Sequence, residues 1–163
     1  MTEQWTRLAE RMRDEIAELG RVVDRAREGW RRAAQSADDY YLDGVALNLH
    51  GFYGGLERLF QRIAAVVDGS VPQGANWHEV LLDQMAAEVP TVRPAVISTD
   101  TRDALDEYRG FRHVVRNVYT FKFDPAKVQA LAERAPAALT LAQAELLSFA
   151  DFLEQQAQDD ECP

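Results

Sequence analysis

From Trp5 onward the apolar residues of this chain recur by threes and fours: Trp5, Leu8, Met12, Ile16, Leu19, Val23, Ala26 and Trp30. That spacing follows the turn of an α-helix and predicts a long amphipathic helix over residues 2–35 with charged outer faces. A second stripe, Leu42, Val45, Leu49, Phe52, Leu56, Leu59, Ile63 and Val66, predicts a helix over about 39–68, and Tyr53, Phe60 and Val67 widen it. So wide an apolar face predicts a central helix contacted on more than one side. No alternating segment is long enough to argue a strand, and no repeat or low-complexity run occurs. The chain therefore reads as all-α, a helical up-down bundle of five or six helices.

Gly51, Gly54 and Gly55 interrupt the central helix, where glycine costs about 0.5–1 kcal/mol relative to alanine. Their use is close approach, by another helix, a symmetry mate or a ligand. Residues 69–76 read as a loop, with Asn76 an N-cap for a short helix over 77–87, and Pro90 and Pro94 enforce an extended connector. Ser98, Thr99 and Asp100 offer caps for a helix running to about Tyr119, whose acidic first turns complement its dipole. Asp124-Pro125 opens a short helix and Pro136 a last one, to about Gln156. One domain over residues 1–158 is expected, with a frayed acidic tail over 159–163.

Composition narrows the function classes. Cys162 is the only cysteine, which excludes a disulfide framework and a thiolate metal site. The polar start and the absence of any run of 18 apolar residues point to a chain without secretion signal or membrane span, so the cytoplasm is the expected compartment. With 27 acidic against 18 basic residues the net charge is -9, which weighs against generic nucleic-acid binding; any RNA contact must be local. His50, His78 and His113 are too scattered to argue a metal site, and no P-loop, dinucleotide fingerprint or nucleophile elbow is present, so no cofactor is expected. His50 and His78 both read as structural.

Against that acidic background, Arg112-His113-Val114-Val115-Arg116-Asn117-Val118-Tyr119 concentrates positive charge, with Arg109 and Lys122 beside it. On a helix Arg112, Arg116 and Tyr119 share one face with Arg109. Like charges at i, i+4 repel by a few tenths of a kcal/mol, so something anionic must offset them. Guanidiniums fork onto phosphate or carboxylate, which leaves two candidates: a bound phosphodiester, or acidic residues on neighbouring helices.

The order Arg112-His113, three residues, Asn117, one residue, Tyr119 resembles the signature of HEPN-domain ribonucleases of the HepT type. The central segment Leu49-His50-Gly51-Phe52-Tyr53-Gly54-Gly55-Leu56-Glu57-Arg58-Leu59-Phe60 and the stretch from Trp77-His78 to Gln84-Met85 extend the resemblance over residues 39–154. It implies a helical homodimer whose two motifs meet in a cleft and cut RNA without metal. It also implies a toxin neutralised by a cognate minimal nucleotidyltransferase that transfers AMP to the motif tyrosine. Carried over, Arg112 would hold the scissile phosphate, His113 would be the polar residue after the arginine, and Tyr119 the modification site; Arg109 and Arg116, on the same helix face, are the further phosphate-binding candidates.

Asn117 departs from that pattern, standing where the family has histidine. An amide does not titrate near neutral pH and cannot take a proton from a ribose 2′-hydroxyl. Either His113, one turn away, supplies the base from its own or a symmetry-related subunit, or Arg112 and Arg116 sustain slow cleavage electrostatically. Two rivals follow: a non-catalytic HEPN module binding RNA, nucleotide or protein through the same cleft, and a structural helical dimer whose arginines pair with acids such as Glu57.

Overall fold

The computed structural model describes residues 2–162. Among them five helices form an all-α bundle without strands: α1 (Thr2–Ser36), α2 (Tyr40–Ile63), α3 (Trp77–Ala86), α4 (Thr99–Asn117) and α5 (Pro125–Glu161). The α1 stripe from Trp5 to Ala26 is buried, with Trp30 at its partly covered end. It faces α2 and α5, so the two longest helices and the central one share a single core.

α2 packs on more than one side, as its wide apolar face predicts, and its glycines explain how closely. A Cβ on Gly55 would stand 2.6 Å from Leu19 Cδ2 of α1, a distance that carbon atoms do not tolerate. One on Gly51 would meet Val22 at an ordinary 3.8 Å. Helix α2 passes into a π-helical turn, Ala64–Asp68, which ends where Gly69 takes the left-handed conformation (φ 67°) that closes helices without a Cβ penalty.

Three boundaries differ from the sequence-based expectation. Pro136 does not open a helix but lies inside α5. The buried series Val128, Leu131, Ala132, Ala135, Ala138, Ala142 and Leu146 keeps its phase across the proline, so packing against α1 outweighs the roughly 3 kcal/mol that an interior proline costs. Helix α5 runs to Glu161, past the expected end near Gln156, while Pro163 lies outside the described residues. Helix α4 stops at Asn117, before Tyr119. There the Asn117 side chain donates its own amide hydrogen to the His113 carbonyl at 2.7 Å, and Val118 turns extended (φ -124°, ψ 142°). An asparagine that bonds its own helix backbone, followed by the β-branched Val118 and Thr120 with the aromatic Tyr119 between them, is poor material for another turn.

A polar cluster orients α4, the helix that carries the arginines. Ser98 Oγ accepts from Thr101 N–H as the N-cap of α4, and the Glu145 carboxylate of α5 accepts from Ser98 N–H (2.8 Å), Ser98 Oγ (2.6 Å) and Thr101 Oγ1 (2.8 Å). α3 is held through Leu81, Leu82 and Met85 in the core and by Val96 and Ile97 N–H donating to the Met85 carbonyl.

Candidate functional site

The apolar face of α2 carries one charged residue where a hydrophobic one belongs. Glu57 lies between Leu56 and Leu59 and is 3% exposed. A carboxylate taken out of water needs partners, and it has two. Arg112 Nη1 of α4 donates to Oε1 at 2.7 Å, and His78 Nδ1 of α3 lies 2.7 Å from Oε2. The first passes over α2 at Gly54, where a Cβ would meet Arg112 Nε at an ordinary 3.8 Å. Trp77 fixes the second, its ring stacked on the His78 imidazole at 3.6 Å between centroids.

Above this buried carboxylate opens a concave site of about 480 Å³ between α2, α3 and α4. Five of the residues singled out in the sequence line it together: Arg109, Arg112, His113, Arg116 and Asn117. Arg109 is tied at Nε to Asp106, at 2.7 Å. Arg116 is exposed and makes no ion pair among the described residues. Arg112 gives one N–H to Glu57, while its buried Nε has no hydrogen-bond partner. On the rim, Asn117 Nδ2 lies 3.3 Å from His113 Nδ1, which holds the His113 ring at the mouth.

Tyr119 is placed elsewhere. Beyond the end of α4 its phenol is 73% exposed, outside the concave site and off the helix face that the spacing predicts. It stacks on Phe121, 5.7 Å between centroids and 9° between planes, and Lys122 Nζ sits 6.0 Å from the Phe121 ring.

Glu57 and His78 are the residues that motif spacing does not reach. His78 reads as structural in the sequence, but it lines the concave site. The signal for Glu57 is a lone acid on an otherwise apolar stripe, legible as a buried charge in search of a cation; His78 has no comparable signal. His50, half-buried on α2, titrates below the usual histidine range, chiefly through burial and then through the Arg112 and Arg116 guanidiniums. Among the described residues no three His, Cys, Asp or Glu side chains gather as a metal site, and no helix is long and apolar enough to cross a membrane.

With this geometry the arrangement can bind a phosphodiester and present an imidazole to it. Comparison with known families gives a match to one described as HepT-like protein, over residues 44–153, which spans α2 through most of α5. Curated proteins and solved structures give no significant match.

Proposed function

Because this chain belongs to the HepT-like family, we propose that the concave site is an RNA phosphodiester site and the protein a metal-independent RNA endonuclease, the toxin component of a toxin-antitoxin pair. The observation that carries the reading is that the part-exposed Arg112 and the exposed Arg116, unpaired among the described residues, line one concave site within a chain of net charge -9. Free guanidinium donors facing a cavity suit a planar oxyanion ligand. The exposed Tyr119 and Phe121 rings beside Lys122 add a surface on which unpaired bases can stack, a contact worth about 1–3 kcal/mol per base in single-strand binders.

In this reading two copies of the chain pair as a homodimer and set two such sites in one cleft. A cognate minimal nucleotidyltransferase acts as antitoxin by transferring AMP to Tyr119, whose 73% exposure leaves the phenol accessible. The ester adds bulk and negative charge on the Tyr119–Phe121 surface beside Lys122, where it competes with RNA.

The test is cleavage of single-stranded RNA by wild type and by Arg112→Ala. Loss of cleavage in the variant supports the reading; equal rates would sink it. Intact mass after co-expression with the nucleotidyltransferase checks the partner, with an AMP adduct on Tyr119 as the expected result. Asn117 favours a second reading, a binding module without cleavage. Its expected signature is RNA binding by the wild type with cleavage only after Asn117→His.

A further inference from the structure

A cleft that holds RNA phosphate through Arg112 still lacks a proton acceptor where Asn117 stands, and the structure offers one on a different helix. We propose that His78, oriented by the buried Glu57, is the general base of this site. The inference rests on the RNA-cleaving reading given above.

The geometry has three parts. First, Glu57 Oε2 lies 2.7 Å from His78 Nδ1, and the carboxylate side chain is 4% exposed. Accepting from Nδ1–H, it fixes the tautomer in which the lone pair is on Nε2. Second, Nε2 has no hydrogen-bond partner among the described residues, and the ring, 28% exposed, borders the concave site. The stack on Trp77 limits its rotation. Third, the same carboxylate holds Arg112 through Oε1, and Arg112 Nη1 is 3.4 Å from His78 Nδ1. One buried acid thus sets the phosphate-binding guanidinium and the imidazole side by side. This is the logic of a base held by an orienting carboxylate beside the group that stabilises developing charge.

His113 is a weaker candidate for the same task. Its ring is exposed at the mouth, and its neighbour at Nδ1 is the Asn117 amide, which supplies no carboxylate to stabilise an imidazolium. The charged groups facing His78 are Glu57 from α2, Arg109, Arg112 and Arg116 from α4, and Glu79 on its own helix.

In the reaction the ribose 2′-oxygen attacks the adjacent phosphorus, which rests on Arg112. The new O2′–P bond forms as the P–O5′ bond breaks. The 2′-hydroxyl proton passes to His78 Nε2, and Glu57 stabilises the resulting imidazolium. The departing 5′-oxygen takes a proton from water, and His78 returns its proton to solvent. The products are a 2′,3′-cyclic phosphate and a 5′-hydroxyl.

The experiment is single-turnover cleavage of a mixed-sequence single-stranded RNA oligonucleotide by wild type, His78→Ala and Arg112→Ala across pH. Binding of the 2′-O-methylated oligonucleotide, which cannot be cut, is measured in parallel, and circular dichroism verifies folding. His78→Ala is expected to cleave about 10²- to 10⁴-fold more slowly, to lose the acidic limb of the rate profile, and to bind the methylated RNA within about twofold of wild type on the view that a base acts on 2′-hydroxyl and not on phosphate. Added imidazole should restore part of its rate, which a merely structural role would not allow. Cleavage by His78→Ala at the wild-type rate, with Arg112→Ala inactive, would overturn the assignment and leave the ribonuclease reading standing. Wild type that binds the methylated RNA but never cuts the unmodified one would overturn both the base and the catalytic reading. Absence of both binding and cleavage would overturn the RNA site altogether. If His78→Ala unfolds, His78→Gln with the same rescue and pH profile decides the matter.

Discussion

Two arginines of this protein meet buried carboxylates, and they use their donors differently. Arg93, in the connector between α3 and α4, is sealed: its side chain is fully covered and that of Asp68 is 4% exposed. All five of its N–H groups are taken, two by the Asp68 carboxylate and the others by the carbonyls of Ala87, Pro94 and Gln84. Arg112 is 20% exposed, gives one N–H to Glu57, and keeps a buried Nε without a partner. Both pairs neutralise a buried acid. Only the second leaves a guanidinium with directional capacity toward a cavity. A satisfied arginine closes a fold, whereas an unsatisfied one beside open space is available to a ligand.

Replacing each arginine by methionine is the most direct way to break that comparison. Arg93→Met leaves Asp68 with the neutral Gln84 amide in place of a cation and takes donors from the Ala87, Pro94 and Gln84 carbonyls, and should lower stability by about 3–5 kcal/mol in urea unfolding, the usual consequence of halving a buried ion pair. Arg112→Met leaves Glu57 its His78 partner, so its stability loss should be less than half as large. Its cost should fall on chemistry instead: about 10²- to 10³-fold in RNA cleavage, the typical effect of removing one donor to a developing oxyanion. Equal destabilisation by both, with cleavage intact in Arg112→Met, would erase the distinction between the two pairs.

The glycines sharpen it further. Gly55→Ala pushes a methyl to within 2.6 Å of Leu19 and should destabilise by about 1–3 kcal/mol through overpacking. Gly54→Ala meets only Arg58 and Arg112 at 3.7 and 3.8 Å, so thermal unfolding should show little change. If Gly54→Ala proves as disruptive as Gly55→Ala, the Arg112 guanidinium depends on the bare backbone at Gly54, and the two glycines do not differ.

The smallest effect concerns His50, whose proton affinity the fold lowers by burial and by Arg112 and Arg116. The unfolded chain then binds the proton more readily, so stability falls as pH drops through about 6.5, the ordinary histidine value. His50→Gln should flatten that part of the stability curve relative to wild type. An unchanged curve would place the arginine field elsewhere.

The helices were legible because burial leaves a periodic trace: the stripes on α1 and α2, Ser98 and Asp124 as caps, and Asp124-Pro125 as a start are all local features of the chain. The boundary at Pro136 was misread because proline's cost is local while its compensation, an apolar stripe in phase along α1, is not. The end of α4 at Asn117 depended on a side chain turning onto the backbone one turn back, a choice that propensity only weakly favours. Among site residues, Arg109, Arg112, His113, Arg116 and Asn117 were visible as a cationic run, since they lie within three turns of one helix.

Sequence alone therefore determined the helical class, the caps of α4 and α5 and the location of the positive charge, because each follows from periodicity and side-chain type within one segment. It also carried the resemblance to the HepT-like family. Tertiary structure alone decided which arginine is sealed and which remains available, and it brought Glu57 of α2 and His78 of α3 to Arg112 of α4. Those groups are distant along the chain, and whether a donor is already satisfied depends on every atom packed around it.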